Sequence, residues 1–176
     1  ELDLSGNDCG PQTFQALAGL LEASSSLHTL RMNQQALQLV GESPTSSMER
    51  LATALRRSAS PLQRLDLAEN GLSDKDMDIL FQALPNSVEK LNLQSNPLET
   101  LQLTEYLKEK SPTESRLQCL DLRRISFLGQ HNLEQEASPS FSDNLIQLLK
   151  LHPHLSDVYA DQNDPFSARR FSDPKL

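Results

Sequence analysis

The sequence predicts an α/β solenoid of about five to six stacked repeats, curved into a horseshoe arc with parallel strands on the concave face and helices on the convex face. Three observations predict it. One short leucine motif recurs along the 176 residues. Apolar residues at helical spacing follow the copies, and the three shorter separations between copies set an underlying period near 28.

The motif is plainest in LQRLDLAENGL from Leu62, VEKLNLQSNPL from Val88 and LQCLDLRRISF from Leu117, which follow L-x-x-L-x-L-x-x-N-x-L with few lapses. Two earlier copies are degraded. LHTLRMNQQAL from Leu27 has Gln35 in the Asn slot, and ELDLSGNDC lacks the first leucine because the chain starts inside the motif, as a fragment of a longer solenoid would. LSDVYADQN from Leu155 is read as a terminal sixth copy. The second motif leucines fall at Leu2, Leu30, Leu65, Leu91, Leu120 and Val158, with separations of 28, 35, 26, 29 and 38 residues. Each copy supplies one rung: its leucines point inward from a short strand, and its Asn bonds backbone groups where the chain turns away.

The helices follow from apolar stripes. Phe14, Leu17, Leu20 and Leu21 form the first, Met48, Leu51 and Leu55 the second, Met77, Leu80, Phe81 and Leu84 the third, and Phe141, Leu145, Leu148 and Leu149 that of the fifth unit. One strand and one helix cannot bury both apolar faces alone, so neighbouring units stack. The two long separations come from insertions rich in Ser and Pro around residues 38–50 and 129–144, expected as mobile loops. The repeat domain is assigned to residues 1–163 and an extended or disordered tail to 164–176.

A period near 28 with a full helix per unit resembles the ribonuclease-inhibitor-like class of leucine-rich repeats. The resemblance covers nearly the whole chain. That class includes ribonuclease inhibitor, the arms of NACHT-type receptors, the Ran activator, tropomodulin, capping-protein linkers and Tonsoku-like scaffolds. Degenerate repeats of this kind lean towards the C-terminal arm of a Tonsoku-like scaffold or a NACHT-type receptor. The resemblance implies an intracellular, protein-binding module in the nucleus or cytoplasm. Ile125 and Phe127, in place of the Asn and Leu of the fifth motif, depart from the pattern.

Composition narrows the partners. A formal charge of −8 argues against direct nucleic-acid binding or attachment to an anionic membrane, both of which need clustered cations. A partner protein with a basic or mixed-charge surface is expected, and the domain itself is expected to be monomeric. The sequence has neither an apolar run of membrane-spanning length nor signal-peptide regions at its start. Cys9 and Cys119 lie several repeats apart, too far for a disulfide. Cys9, in a leucine slot, is expected to be buried, and Cys119 more accessible.

Binding residues are expected where strand side chains alternate with the buried leucines. The residue between the second and third leucines is Asp3, Arg31, Asp66, Asn92, Asp121 or Tyr159. The residue before the second leucine is Glu1, Thr29, Arg64, Lys90, Cys119 or Asp157, and Asn33, Ala68, Glu69, Gln94, Arg123, Arg124 and Asp161 follow the third as further exposed positions. The candidate partner-binding set is therefore Arg31, Arg64, Asp66, Glu69, Lys90, Asn92, Asp121, Arg123, Arg124 and Tyr159. For any one of these charges, keeping an exposed strand face soluble is the competing explanation. Tyr159, the aromatic of the row, suits either a binding anchor or a capping contact.

No specific catalytic motif is present, and no cofactor or metal is expected. His152 and His154 flank Pro153 without an assignable third ligand. The Ser-Pro pairs at Ser43, Ser60, Ser111 and Ser138 read as turn or helix-start punctuation. Ser172, behind Arg169 and Arg170, is a candidate phosphorylation site for a basophilic kinase. Three functional readings remain open: a protein-binding scaffold arm, a small-GTPase regulator resembling the Ran activator, and a structural cap of a longer solenoid.

Overall fold

The computed structural model describes residues 1–7, 9–34, 44–97, 116–125 and 154–159. Six short strands form a single parallel sheet in chain order: β1 (Leu2–Asp3), β2 (Thr29–Arg31), β3 (Arg64–Asp66), β4 (Lys90–Asn92), β5 (Cys119–Asp121) and β6 (Asp157–Tyr159). Among the described residues, three helices alternate with the first four strands, α1 (Pro11–Ala23), α2 (Pro44–Arg56) and α3 (Asp74–Ala83). The result is the solenoid that the motif predicts, and the weak sixth copy forms a true rung.

Register follows the leucines. Leu2 pairs with Leu30, Leu30 with Leu65, Leu65 with Leu91, Leu91 with Leu120, and Leu120 with Val158. A one-residue slip would turn every buried leucine to the opposite face, so the apolar pattern itself specifies this pairing. The first motif position (Leu27, Leu62, Val88, Leu117, Leu155) and the third (Met32, Leu67, Leu93, Leu122) are buried beside that central column.

Helix stripes complete the core. Phe14, Leu17 and Leu21 of α1, Met48, Leu51 and Leu55 of α2, and Met77, Leu80 and Phe81 of α3 are all buried. Leu20, expected in the first stripe, is instead 43% exposed. It lies about 100° around the axis from Leu21, outside the band spanned by Phe14, Leu17 and Leu21. Leu84 is half-buried and ends α3 as its C-cap. The stripe expected at Phe141–Leu149, and the tail from residue 164, lie outside the described residues.

Two backbone devices repeat from rung to rung. At the starts of β2 to β5 one carbonyl accepts two successive N–H groups of the next unit: His28 from Gln63 and Arg64, Gln63 from Glu89 and Lys90, Glu89 from Gln118 and Cys119, and Gln118 from Ser156 and Asp157. At the exits of β1 to β5 one residue takes positive φ: Gly6 (69°), Gln34 (53°), Glu69 (57°), Ser95 (57°) and Arg124 (57°). The N–H groups of Gly6, Gln34, Glu69 and Ser95 then reach carbonyls of the following unit at 2.8–3.1 Å. The left-handed turn thus keeps the inter-rung ladder unbroken where the chain leaves the sheet.

Candidate functional site

The exposed face of the sheet carries two rows of side chains in register. One runs Thr29, Arg64, Lys90, Cys119, Asp157, and the other Asp3, Arg31, Asp66, Asn92, Asp121, Tyr159. Parallel pairing without slippage therefore brings the residues grouped from sequence spacing onto one surface. Arg64, Glu69, Lys90, Arg123, Arg124 and Tyr159 are exposed, while Arg31 and Asn92 are half-buried.

Asp66 and Asp121 depart from the expectation of an exposed row, since they are only 5% and 8% exposed. Each carboxylate is turned back on its own chain. Asp3 accepts the Ser5 N–H at 2.9 Å, Asn92 the Gln94 N–H at 3.0 Å, Asp121 the Arg123 N–H at 3.2 Å and Asp66 the Ala68 N–H at 3.5 Å. These are Asx turns that satisfy a donor where the strand ends. The signal was present in the sequence, because Asp or Asn fills this slot in four of the six copies, at Asp3, Asp66, Asn92 and Asp121. Ala68 is also buried. Its N–H donates to Asn33 Oδ1 and its carbonyl accepts from Gln34, and a lone methyl does not extend past those bonded groups.

The exposed charges fall into three settings. Arg31 lies 3.2 Å from Glu1 and 3.9 Å from Asp3, and Glu69 accepts Gln34 Nε2 at 2.8 Å. Arg123 grips Asp121 with two groups, Nε at 2.9 Å from Oδ1 and Nη2 at 2.6 Å from Oδ2, while its guanidinium sits 5.7 Å from the centre of the Tyr159 ring. That ring belongs to a residue 38% exposed. Arg64 and Lys90, by contrast, stand opposite one another on adjacent strands with no ion pair among the described residues. Like charges placed so are destabilising, by up to about 1 kcal/mol.

Cys119 sits beside Lys90 in the same row, half-buried, and Cys9 is buried, as their motif slots predict. Burial, reinforced by Asp157 and Asp121, pushes the Cys119 thiol above its ordinary range, so it is the less reactive neutral form that prevails near pH 7. Asp3 is displaced in the opposite sense, its carboxyl held below the usual range by the Ser5 hydroxyl and N–H. Ser60 is buried and donates to the Ser24 carbonyl at 3.2 Å, and Pro44 opens α2, which matches the punctuation read at those Ser-Pro pairs. Ser111, Ser138, His152 and Ser172 lie outside the described residues. Among the described residues, no group of three or more His, Cys, Asp or Glu could hold a metal ion, and no helix is long and apolar enough to cross a membrane.

The architecture defined by these rungs is that of a leucine-rich-repeat solenoid. The chain is similar in fold to the solved tropomodulin C-terminal domain of Caenorhabditis elegans, with a TM-score of 0.62 and 16% identity over 90% of this chain and 89% of that one. At that identity the likeness concerns the fold alone. No protein-family model matches the chain, and no curated protein is similar to it in sequence.

Proposed function

We propose that the chain is a non-catalytic, protein-binding scaffold arm that presents its concave strand face to a partner protein, with Arg123 and Tyr159 as the anchor. What carries this reading is the Asp121–Arg123–Tyr159 arrangement. A bidentate carboxylate and an aromatic ring hold an arginine in place at the surface, and Arg and Tyr dominate interface energetics. An arginine held in advance loses less side-chain entropy on binding than a free one. The mixture of fixed pairs and unpaired cations on the same face suits a partner whose charge pattern sets specificity and encounter rate.

The test begins by crosslinking the chain to its partner through Lys90 on the face, with Lys75 on α3 as the convex control. Partner affinity is then measured for the Arg123→Ala/Tyr159→Ala variant. The expected result is crosslinks at Lys90 in preference to Lys75 and a loss of roughly 30-fold in affinity, the scale of a truncated hot spot. Unchanged affinity in a variant that melts like the parent would remove the anchor and leave the structural cap in its place.

A further inference from the structure

The geometry points to a docking site for an acidic, extended peptide segment of the partner, its carboxylates bound by Arg64 and Lys90 at the centre of the concave face. The proposal rests on the concave-face reading and adds to it the chemistry of what is bound.

The two cations are in direct register, Arg64 on β3 and Lys90 on β4, with about 4.8 Å between the strands. Both are exposed. Every nearby negative charge on the face is committed elsewhere or set apart. Glu1 and Asp3 pair with Arg31, Glu69 accepts from Gln34 Nε2 at 2.8 Å, and Asp121 is gripped by Arg123. Asp66, the carboxylate of the rung shared with Arg64, is buried, accepts from the Ala68 N–H and lies in no ion pair. Asp157 lies two strands beyond Lys90, across the uncharged Cys119.

The face therefore keeps adjacent, unneutralised positive charges at its centre, in a chain whose formal charge is −8. A Debye length of about 8 Å at physiological ionic strength lets such a local pair outweigh distant negative charge for a ligand in contact with it. Neighbouring cations that repel in the free protein are stabilised when carboxylates bridge them, so charge complementarity selects an acidic segment. An extended chain presents alternate side chains on one side, roughly 7 Å apart, within reach of two long flexible cations one strand apart.

The experiment titrates the 176-residue chain into a fluorescein-labelled peptide of alternating Glu and Ala, followed by anisotropy, with an alternating Lys and Ala peptide as control. The glutamate peptide is expected to bind, to weaken as salt is raised, and to bind the Arg64→Gln/Lys90→Gln variant about tenfold more weakly. Arg57→Gln, in the turn that follows α2, should leave binding unchanged. Melting temperature provides the second readout. Relief of repulsion predicts that the double glutamine variant melts at or above the parent, whereas a clear fall would mean that the pair is neutralised within the fold, and would overturn the proposal. Equal binding of the lysine peptide, or no anisotropy rise by about 1 mM protein, would also overturn it. If the glutamine variant binds normally while Arg123→Ala/Tyr159→Ala does not, the Arg64–Lys90 site falls and the concave-face reading stands. If neither variant changes binding, both fall.

Discussion

Asn96 shows how much of this fold rests on single side chains. It is 1% exposed; its Oδ1 accepts from Asn70 N–H and Leu72 N–H, and its Nδ2 donates to the carbonyls of Leu67 and Leu93. One amide thus joins two repeats. Asn96→Ala would strand several buried backbone groups at once, so a loss of roughly 2–4 kcal/mol is expected in urea unfolding, as a lower midpoint at unchanged slope. Asn7 occupies the same slot in the first copy but is exposed, and Asn7→Ala should cost less than about 1 kcal/mol because water replaces its bonds. The left-handed turn residue gives a paired prediction. Gly6→Ala meets no atom within 4 Å, so its expected cost, about 1 kcal/mol, is conformational; Ser95→Gly, at the equivalent φ, should stabilise by a similar or smaller amount. A reversal of either sign would show that the turn is set by contacts and not by φ. Thiol chemistry adds a readout on the face itself: with its pKa raised, Cys119 should alkylate more slowly than free cysteine at pH 7, and Asp157→Asn should speed it modestly, since burial is the larger cause.

At the scale of elements, legibility tracked how directly burial maps onto sequence spacing. Strand register was readable because a column of leucines tolerates no slip, and even Val158 in the weakest copy takes its place in the sheet. The helix stripes were readable for the same reason, except at Leu20, where apolar identity alone does not say how wide the buried band is. Strand alternation places Asp66 and Asp121 on the open face but does not show their burial, because an Asx turn ties each carboxylate to its own backbone. The Arg123–Tyr159 contact was not readable either, since it spans a 36-residue separation and depends on rotamers, although both residues had been placed on the face. The α3 start is fixed by a local cap that the apolar stripe does not reveal. Asp76 Oδ2 accepts both the Ser73 N–H at 2.9 Å and the Ser73 Oγ–H at 2.6 Å, from a side chain that is itself buried. Asp76→Ala should lower stability by about 1 kcal/mol and weaken amide-exchange protection in the first turn of α3 before that in β3.

For the whole molecule, the governing feature is that, among the described elements, contact is made only between neighbours. Each strand pairs with the next in sequence, and α1 packs on α2 as α2 does on α3. Such a chain is close to one-dimensional, so its stability is a sum of unit terms and nearest-neighbour interfaces. Mutational coupling should therefore decay within one rung. Leu65 and Leu91 are in direct register and fully or almost fully buried, so the cavities left by Leu65→Val and Leu91→Val share walls. Leu30 and Leu120 are equally buried but separated by two intervening strands, about 14 Å at the usual spacing. Each substitution removes one methylene and should cost about 1 kcal/mol. The Leu65/Leu91 pair should depart from additivity by more than about 0.5 kcal/mol, and the Leu30/Leu120 pair should add within that margin. Four single and two double variants in urea unfolding decide it. Coupling between Leu30 and Leu120 as strong as that between Leu65 and Leu91 would mean that the rungs respond as one rigid core, and a ligand bound at Arg64 and Lys90 would then be felt as far as Tyr159; decay within one rung means that the central cations and the Arg123–Tyr159 anchor act on a partner independently.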